Sequence, residues 1–245
     1  MSKTSKTKRL LSVVLSTLLL ISIFTIVPAN AADTNKKTSS LQSGDFYYYV
    51  DEDDKTATIT GYVGTDEKLV IPSTINGYTV TEIDNGAFGY YYDEDEDKEY
   101  DFDFIKSISI PDSVTVIGNN AFDGTGYYYD DDNWENGVLY IGKFLIKADN
   151  ISGTYSIKQG TTVIADEAFY NDGYYDEDSD EYVYTDSELE GINIPDSVTH
   201  IGYSAFQKCS KLKDVTIPGS VKTIGEYAFA YCTNQIGRAS CRERV

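Results

Sequence analysis

The stretch Leu212-x-x-Val215-x-Ile217-Pro218-x-Ser220-Val221-x-x-Ile224-Gly225-x-x-Ala228-Phe229-x-x-Cys232 decides the fold, because it repeats a phrase found earlier in the chain. The copy before it reads Leu189, Ile192, Ile194-Pro195, Ser197-Val198, Ile201-Gly202, Ala205-Phe206 and Cys209, every corresponding residue 23 positions earlier. Self-similarity at such a period is the mark of a repeat architecture.

Working outward, the phrase persists while its spacers vary. Ile105, Ile108, Ile110-Pro111, Ser113-Val114, Ile117-Gly118 and Ala121-Phe122 form one copy. Tyr155, Ile157, Ile164 and Ala168-Phe169 form a degenerate one without the proline, and Leu69, Ile71-Pro72, Val80, Ile83 and Ala87-Phe88 form the first. In all five the Ile and the Phe stand five apart. Alternating apolar positions such as Val215 and Ile217, ended by a proline, predict a short strand and a turn. A unit this small cannot bury its own apolar face. Stacking is then required, with Ile117, Ile164, Ile201 and Ile224 in one internal row and Phe122, Phe169, Phe206 and Phe229 in another. Cys209 and Cys232 fall at equivalent positions of adjacent coils, where small unpaired core thiols are expected in preference to a disulfide.

Ile-Pro-x-Ser-Val, Ile-Gly and Ala-Phe recurring together resemble the BspA-like leucine-rich repeat family of bacterial surface proteins, over about residues 57–234. The resemblance implies a bacterial source, a curved solenoid, and binding to host proteins or surfaces for such proteins as a class. The expected fold is a β-rich solenoid of 23-residue leucine-rich repeat units carrying acidic, Tyr-rich hairpin insertions.

Both ends differ in character from the repeat. Lys3, Lys6, Lys8 and Arg9, the apolar run from Leu10 to Val27, and Ala29-Asn30-Ala31 read as a secretory signal peptide over 1–31. An uncleaved membrane anchor is the alternative, since the run is close to spanning length. Either way the rest of the chain is expected outside the cytoplasm, secreted or on the cell surface. Residues 236–245 match what one reading frame of a common short-read sequencing adapter encodes, so 235–245 are read as a non-native tail. The segment 32–56 is acidic and Tyr-rich, and 57–234 is the solenoid of about five repeats, read as the front portion of a longer one.

The whole chain has 40 Asp and Glu against 20 Lys and Arg, a formal charge of -20. Without the two ends, 13 basic and 39 acidic residues remain, a net -26. Such a surface excludes nucleic acid as a partner. The acid is concentrated after the Ala-Phe pairs, where Tyr90-Tyr91-Tyr92 precede Asp93, Asp95 and Asp97, Tyr127-Tyr128-Tyr129 precede Asp130-Asp131-Asp132, and Tyr174-Tyr175 precede Asp176, Asp178 and Asp180. Tyr47-Tyr48-Tyr49 lead into Asp51-Glu52-Asp53-Asp54 in the same style. Disordered acidic linkers are poor in aromatics. Each insert is therefore read as a hairpin with aromatic arms and an acidic tip, the tips lining one solenoid edge, and Val138–Ile141 with Phe144–Ile146 as an extra strand pair.

These eight tyrosines, 90–92, 127–129, 174 and 175, are the candidate ligand contacts, because Tyr offers large amphipathic area at small entropic cost. The nine aspartates at 93, 95, 97, 130–132, 176, 178 and 180 are candidate calcium ligands, though no EF-hand spacing is present: from Asp93 the sixth and twelfth places hold Lys98 and Phe104. A merely solvated acidic face is the competing reading. Catalysis finds no constellation. His200 is the only histidine, and no nucleophile elbow, phosphate loop or dinucleotide fingerprint occurs. The chain is read as a non-enzyme without a cofactor, calcium aside. It is expected to act as an interaction or adhesion module for an extracellular protein or glycan, with no membrane span in the mature chain. The alternative is a carbohydrate-binding accessory of an extracellular degrading complex.

Overall fold

The structure is a computed structural model that describes residues 40–89, 91–93, 98–170, 174–176, 181–183, 187–213 and 215–233. The signal segment and the 235–245 tail lie outside the described residues.

The repeat copies share local rules, from which the first departs by inserting the antiparallel hairpin of Thr74–Ile75 with Tyr78–Ile83 after its Pro72. A short strand runs through the alternating apolar residues, as in Lys68–Val70 and Ser107–Ser109, and these pair in parallel with Leu69 beside Ile108. Ile-Pro ends the strand because proline has no N–H to give the ladder. The chain then turns: Val114 N–H donates to the Pro111 carbonyl at 3.2 Å, Val198 to Pro195 at 3.0 Å and Val221 to Pro218 at 3.2 Å. The degenerate copy keeps this turn, Thr161 N–H donating to the Lys158 carbonyl at 3.2 Å, since the acceptor is a carbonyl that any residue supplies. A second short strand follows (Val116–Ile117, Val163–Ile164, His200–Ile201 or Thr223–Ile224), and then the Ala-Phe turn.

Two positions of the phrase have a backbone cause. The residue before Ala-Phe is left-handed in all five copies: Gly86 (φ 60°), Asn120 (51°), Glu167 (53°), Ser204 (51°) and Tyr227 (57°). Glycine and asparagine take this region readily, while the other three do so at a cost of about 1–2 kcal/mol each. The glycine after the Ile answers a different demand. A Cβ on Gly118 would lie 2.5 Å from the Asn85 nitrogen, on Gly202 2.5 Å from that of Asp166, and on Gly225 2.4 Å from that of Tyr203. Each meets the corresponding turn one coil earlier. The two copies with another residue here, Asp84 and Ala165, follow something other than a repeat coil: Asp84 N–H donates to the Ile59 carbonyl and Ala165 N–H to the Leu145 carbonyl.

The expected stacking is present but not continuous. Ile59, Ile83 and Ile117 align in one parallel row, and Leu145, Ile164, Ile201 and Ile224 in another. Phe88 stacks on Phe122 (5.4 Å, 3°), Phe169 on Phe206 (4.7 Å, 19°) and Phe206 on Phe229 (5.1 Å, 7°). Between Ile117 and Ile164 the row is interrupted by the antiparallel pair Val138–Ile141 and Phe144–Ala148. This is the extra strand pair the sequence predicts, and it serves as an internal wall. Leu139, Ile141, Phe144 and Ile146 pack into one core with Phe88, Ile117 and Phe122. Val138, Tyr140, Leu145 and Ala148 pack into a second core with Ile164, Phe169 and Phe206. A strand buried on both faces reads as an unbroken apolar run, as Val138-Leu139-Tyr140-Ile141 does.

The N-terminal segment forms the hairpin Phe46–Asp51 and Thr56–Tyr62, with Leu41–Ser43 beside it. Its acids make the turn. The Asp51 carboxylate accepts the N–H groups of Asp53 (2.8 Å) and Asp54 (3.0 Å), while Glu52 accepts from Lys55 at 2.9 Å and from the Tyr78 hydroxyl at 2.7 Å.

Candidate functional site: an aromatic groove beside the internal wall

Two of the three inserts that follow Ala-Phe pairs are antiparallel hairpins as expected: Tyr91–Asp93 pairs with Lys98–Tyr100, and Tyr174–Asp176 with Glu181–Val183. Tyr90, Asp95, Asp97, Asp178 and Asp180 lie outside the described residues, as do the side chains of Tyr91, Tyr92, Asp93, Tyr174, Tyr175 and Asp176. The first return arm stops at Tyr100. Phe102 instead drops into the core, its ring 6.2 Å from Phe88 and from Phe104.

The remaining insert departs from the expected shape. Tyr127-Tyr128-Tyr129 form a turn rather than a hairpin arm, followed by a 3-10 turn Asp131–Asn133 and the short strand Trp134–Glu135. The physical reason is the buried Thr125, whose hydroxyl donates to the Phe122 carbonyl (2.7 Å) and accepts the Tyr128 N–H (3.2 Å), curling the chain instead of extending it. Asp130 caps the 3-10 turn by accepting the Asp132 N–H at 3.1 Å.

This curl opens a groove of about 560 Å³ lined by Tyr128, Tyr129, Asp131, Trp134, Asn136, Gly137, Asp149 and Asn150. Its aromatic side is braced. Tyr128 meets Trp134 edge to face at 5.3 Å and 83°, and Tyr129 meets Tyr128 at 5.6 Å and 82°. The Trp134 indole N–H donates to the Tyr128 carbonyl at 2.7 Å, fixing the stack to the backbone. Tyr129 is 65% exposed. The polar side stands on two tight turns: Asn136 (φ 52°) and Gly137 (φ 78°) form the two-residue hairpin turn that suits their positive φ, and Asp149 N–H donates to the Gly137 carbonyl at 2.8 Å.

The electrostatics are one-sided. Burial, helped by Asp123 and Asp149, pushes the Tyr128 hydroxyl up to about 12, and burial with Asp123 also raises Tyr129. Among the described residues no basic side chain lines the groove. The nearby Lys147 ammonium donates to the Glu167 and Tyr170 carbonyls at 3.1 and 3.0 Å, and its burial lowers its pKa.

Of the described candidates, then, Tyr128, Tyr129 and Asp131 meet at one groove. Tyr127 is occupied structurally, its hydroxyl donating to the Tyr140 carbonyl at 3.0 Å, and Asp130 caps a turn while Asp132 is exposed. Among the described residues no group of three acidic, His or Cys side chains is placed to hold a metal ion. Five groove residues escaped the sequence reading: Trp134, Asn136, Gly137, Asp149 and Asn150. The only Trp of the chain and the Asn-Gly turn beside it were the available signals. Also missed were Tyr203, Tyr227 and Tyr231, exposed at 44, 58 and 68%, the first two in edge-to-face contact at 5.7 Å. They sit at the variable positions of otherwise uniform coils.

The stacked parallel rungs define a β-rich repeat solenoid of the leucine-rich repeat class. Within that class, the model for the BspA type leucine rich repeat region matches residues 96–175 and 177–241 in six copies, and the chain belongs to that family. Among solved structures the chain is similar to a leucine rich repeat protein of T. pallidum (25% identity, 82% of this chain, 69% of that one, TM-score 0.32). It is also similar to a leucine rich cell surface protein of Faecalibacterium prausnitzii (22%, 82%, 54%, 0.34) and to the pneumococcal vaccine antigen PcpA (25%, 80%, 43%, 0.29). None of the curated proteins matches the chain. Among the described residues no helix is long and apolar enough to cross a membrane.

Proposed function

We propose that the protein is an exported, surface-displayed interaction module that engages an extracellular protein through the groove at Tyr129. One observation carries this reading: the largely exposed Tyr129 lines a groove and packs edge to face on Tyr128, which Trp134 in turn braces through an edge-to-face contact and a backbone hydrogen bond. An aromatic anchor whose rotamer is fixed before binding loses little entropy on contact and is typical of residues that dominate interfaces. The repeat coils supply the rigid frame, and the inserts between them supply the individuality. The basic start and apolar run of residues 1–31 support export, and membership of a family with cell-surface members fits the same setting.

The test is an array of purified extracellular proteins and neutral glycans probed with the whole chain and with Tyr129→Ala. The reading expects protein spots that weaken in the variant while its thermal melt stays unchanged. Retention confined to glycan spots, or protein binding indifferent to Tyr129, would overturn it.

A further inference from the structure

Resting on that reading, we infer that the groove recognises an arginine or lysine side chain of its partner, the cation lying over the Tyr129 ring between the carboxylates of Asp131 and Asp149. Tyr129 is 65% exposed, lines the groove and rests edge to face on Tyr128, itself braced by Trp134, so its ring is available as a cation–π platform. Asp131 and Asp149 are both exposed on the groove lining, and among the described residues no basic side chain lines the groove beside them. Lys147, a buried base whose charge interacts with Asp149, has its ammonium bound to two carbonyls of the adjacent coil. The described lining therefore places two carboxylates and no base beside an exposed aromatic residue, within a chain of formal charge -20.

Other occupants fit this lining less well. A phosphate, sulfate or acidic sugar meets two carboxylates and no base. A neutral sugar could stack on Tyr129, but it would cover both carboxylates without supplying a counter-charge, which is unfavourable for ionised groups losing water. A metal ion needs a compact ligand group that the described residues do not form. A guanidinium on a flexible stem needs none, since its five N–H donors span two acceptors while its plane lies on the ring. Asn136 and Asn150, on left-handed turn positions of the rim, add amide oxygens and N–H groups suited to the backbone of an extended segment.

The test uses the full chain and three labelled peptides of one sequence, bearing arginine, lysine or the uncharged isostere citrulline, read by fluorescence polarisation at low and physiological salt. Arginine is expected to bind best, lysine next and citrulline not at all, with affinity falling as salt rises. Tyr129→Ala and the pair Asp131→Asn with Asp149→Asn should each weaken the arginine peptide by about tenfold. A matched charge change far from the groove, Asp53→Asn with Asp54→Asn, should leave it unchanged. Equal weakening by the two double variants would mean diffuse attraction to an acidic surface and would overturn the site. So would citrulline binding as well as arginine, or a neutral oligosaccharide displacing the peptide. If the arginine peptide fails while protein binding on the array still depends on Tyr129, this inference falls and the interaction reading stands.

Discussion

Leu145 pairs in parallel register with Ile164, taking a rung of the inner ladder although it belongs to no repeat copy. The Ala165 N–H donates to the Leu145 carbonyl at 2.9 Å, the same bond that Gly202 makes to Ile164 and Gly225 to Ile201. The hairpin thus stands in for a coil on one face, while Phe144 on its other face reaches the core of the preceding repeats. Removing the Leu145 side chain, which is fully buried, should cost about 2–5 kcal/mol. Because repeat stability is a sum over neighbours, the loss should also uncouple the two sides of the wall. Leu145→Ala is expected to split one unfolding transition into two in a denaturant titration followed by circular dichroism and tyrosine fluorescence. A single transition at the wild-type midpoint would show that the hairpin carries no coupling.

Two residues apart, Gly202 and Ser204 should respond to substitution with opposite signs. Gly202→Ala puts a methyl 2.5 Å from the Asp166 nitrogen and should separate two coils, destabilising the protein by about 1–3 kcal/mol. Ser204 sits at φ 51° and is wholly buried with its hydroxyl lacking a partner. Ser204→Gly relieves the left-handed strain and removes an unsatisfied group, against the extra entropy of an unfolded glycine; a gain of about 1 kcal/mol is expected. Thermal melts of the two variants check both signs.

Those same positions mark how far the sequence could be read. Ile-Gly and Ala-Phe announced the coil, because each residue answers a contact that recurs wherever one coil follows another. The exceptions were legible only afterwards: Ala165 replaces the glycine because Leu145, not a coil, precedes it. The interruption of the Ile and Phe rows was not visible, since an apolar run such as Val138–Ile141 fits a surface hairpin packed on one side as well as a wall buried on two. At the groove, Tyr128 and Tyr129 were found by composition. Their partners Trp134 and Asp149 were not, because the curl set by the Thr125 hydroxyl, rather than any periodicity, brings them together.

Asp166 gives the fold a pH dependence of defined sign. Its carboxylate accepts the Tyr203 N–H at 2.8 Å, and burial between coils pushes its pKa up to about 6. The unfolded value is about 3.9, so the folded chain holds the proton more tightly. Its contribution to stability is therefore largest below about pH 4, declines as pH rises toward about 6, and stays at its lowest above that. Asp166→Asn keeps an oxygen for the Tyr203 N–H without the charge. The variant should match the wild type near pH 4 and exceed it at pH 7 by about 1–3 kcal/mol, the lower end following from its partial exposure. Paired melts at the two values decide it, and an advantage independent of pH would exclude Asp166 as the cause.

Cys209 and Cys232 test the stacking of the last two coils directly. Each thiol points at the carbonyl of the stacked phenylalanine one coil earlier, Cys209 Sγ 3.7 Å from Phe169 O and Cys232 Sγ 3.2 Å from Phe206 O, and both are free. Burial pushes Cys209 up to about 12 and Cys232 up to about 11. The thiolate is the nucleophile, so at pH 8 only about one Cys209 in ten thousand is reactive even where reagent can reach it. Alkylation of the native chain at pH 8, mapped by peptide mass, should leave Cys209 untouched and label Cys232 slowly, the latter being only half-buried. In denaturant both should react at the ordinary thiol rate. Rapid native labelling of Cys209, or a non-reducing peptide map that joins the two, would mean that these coils do not stack with their thiols inside.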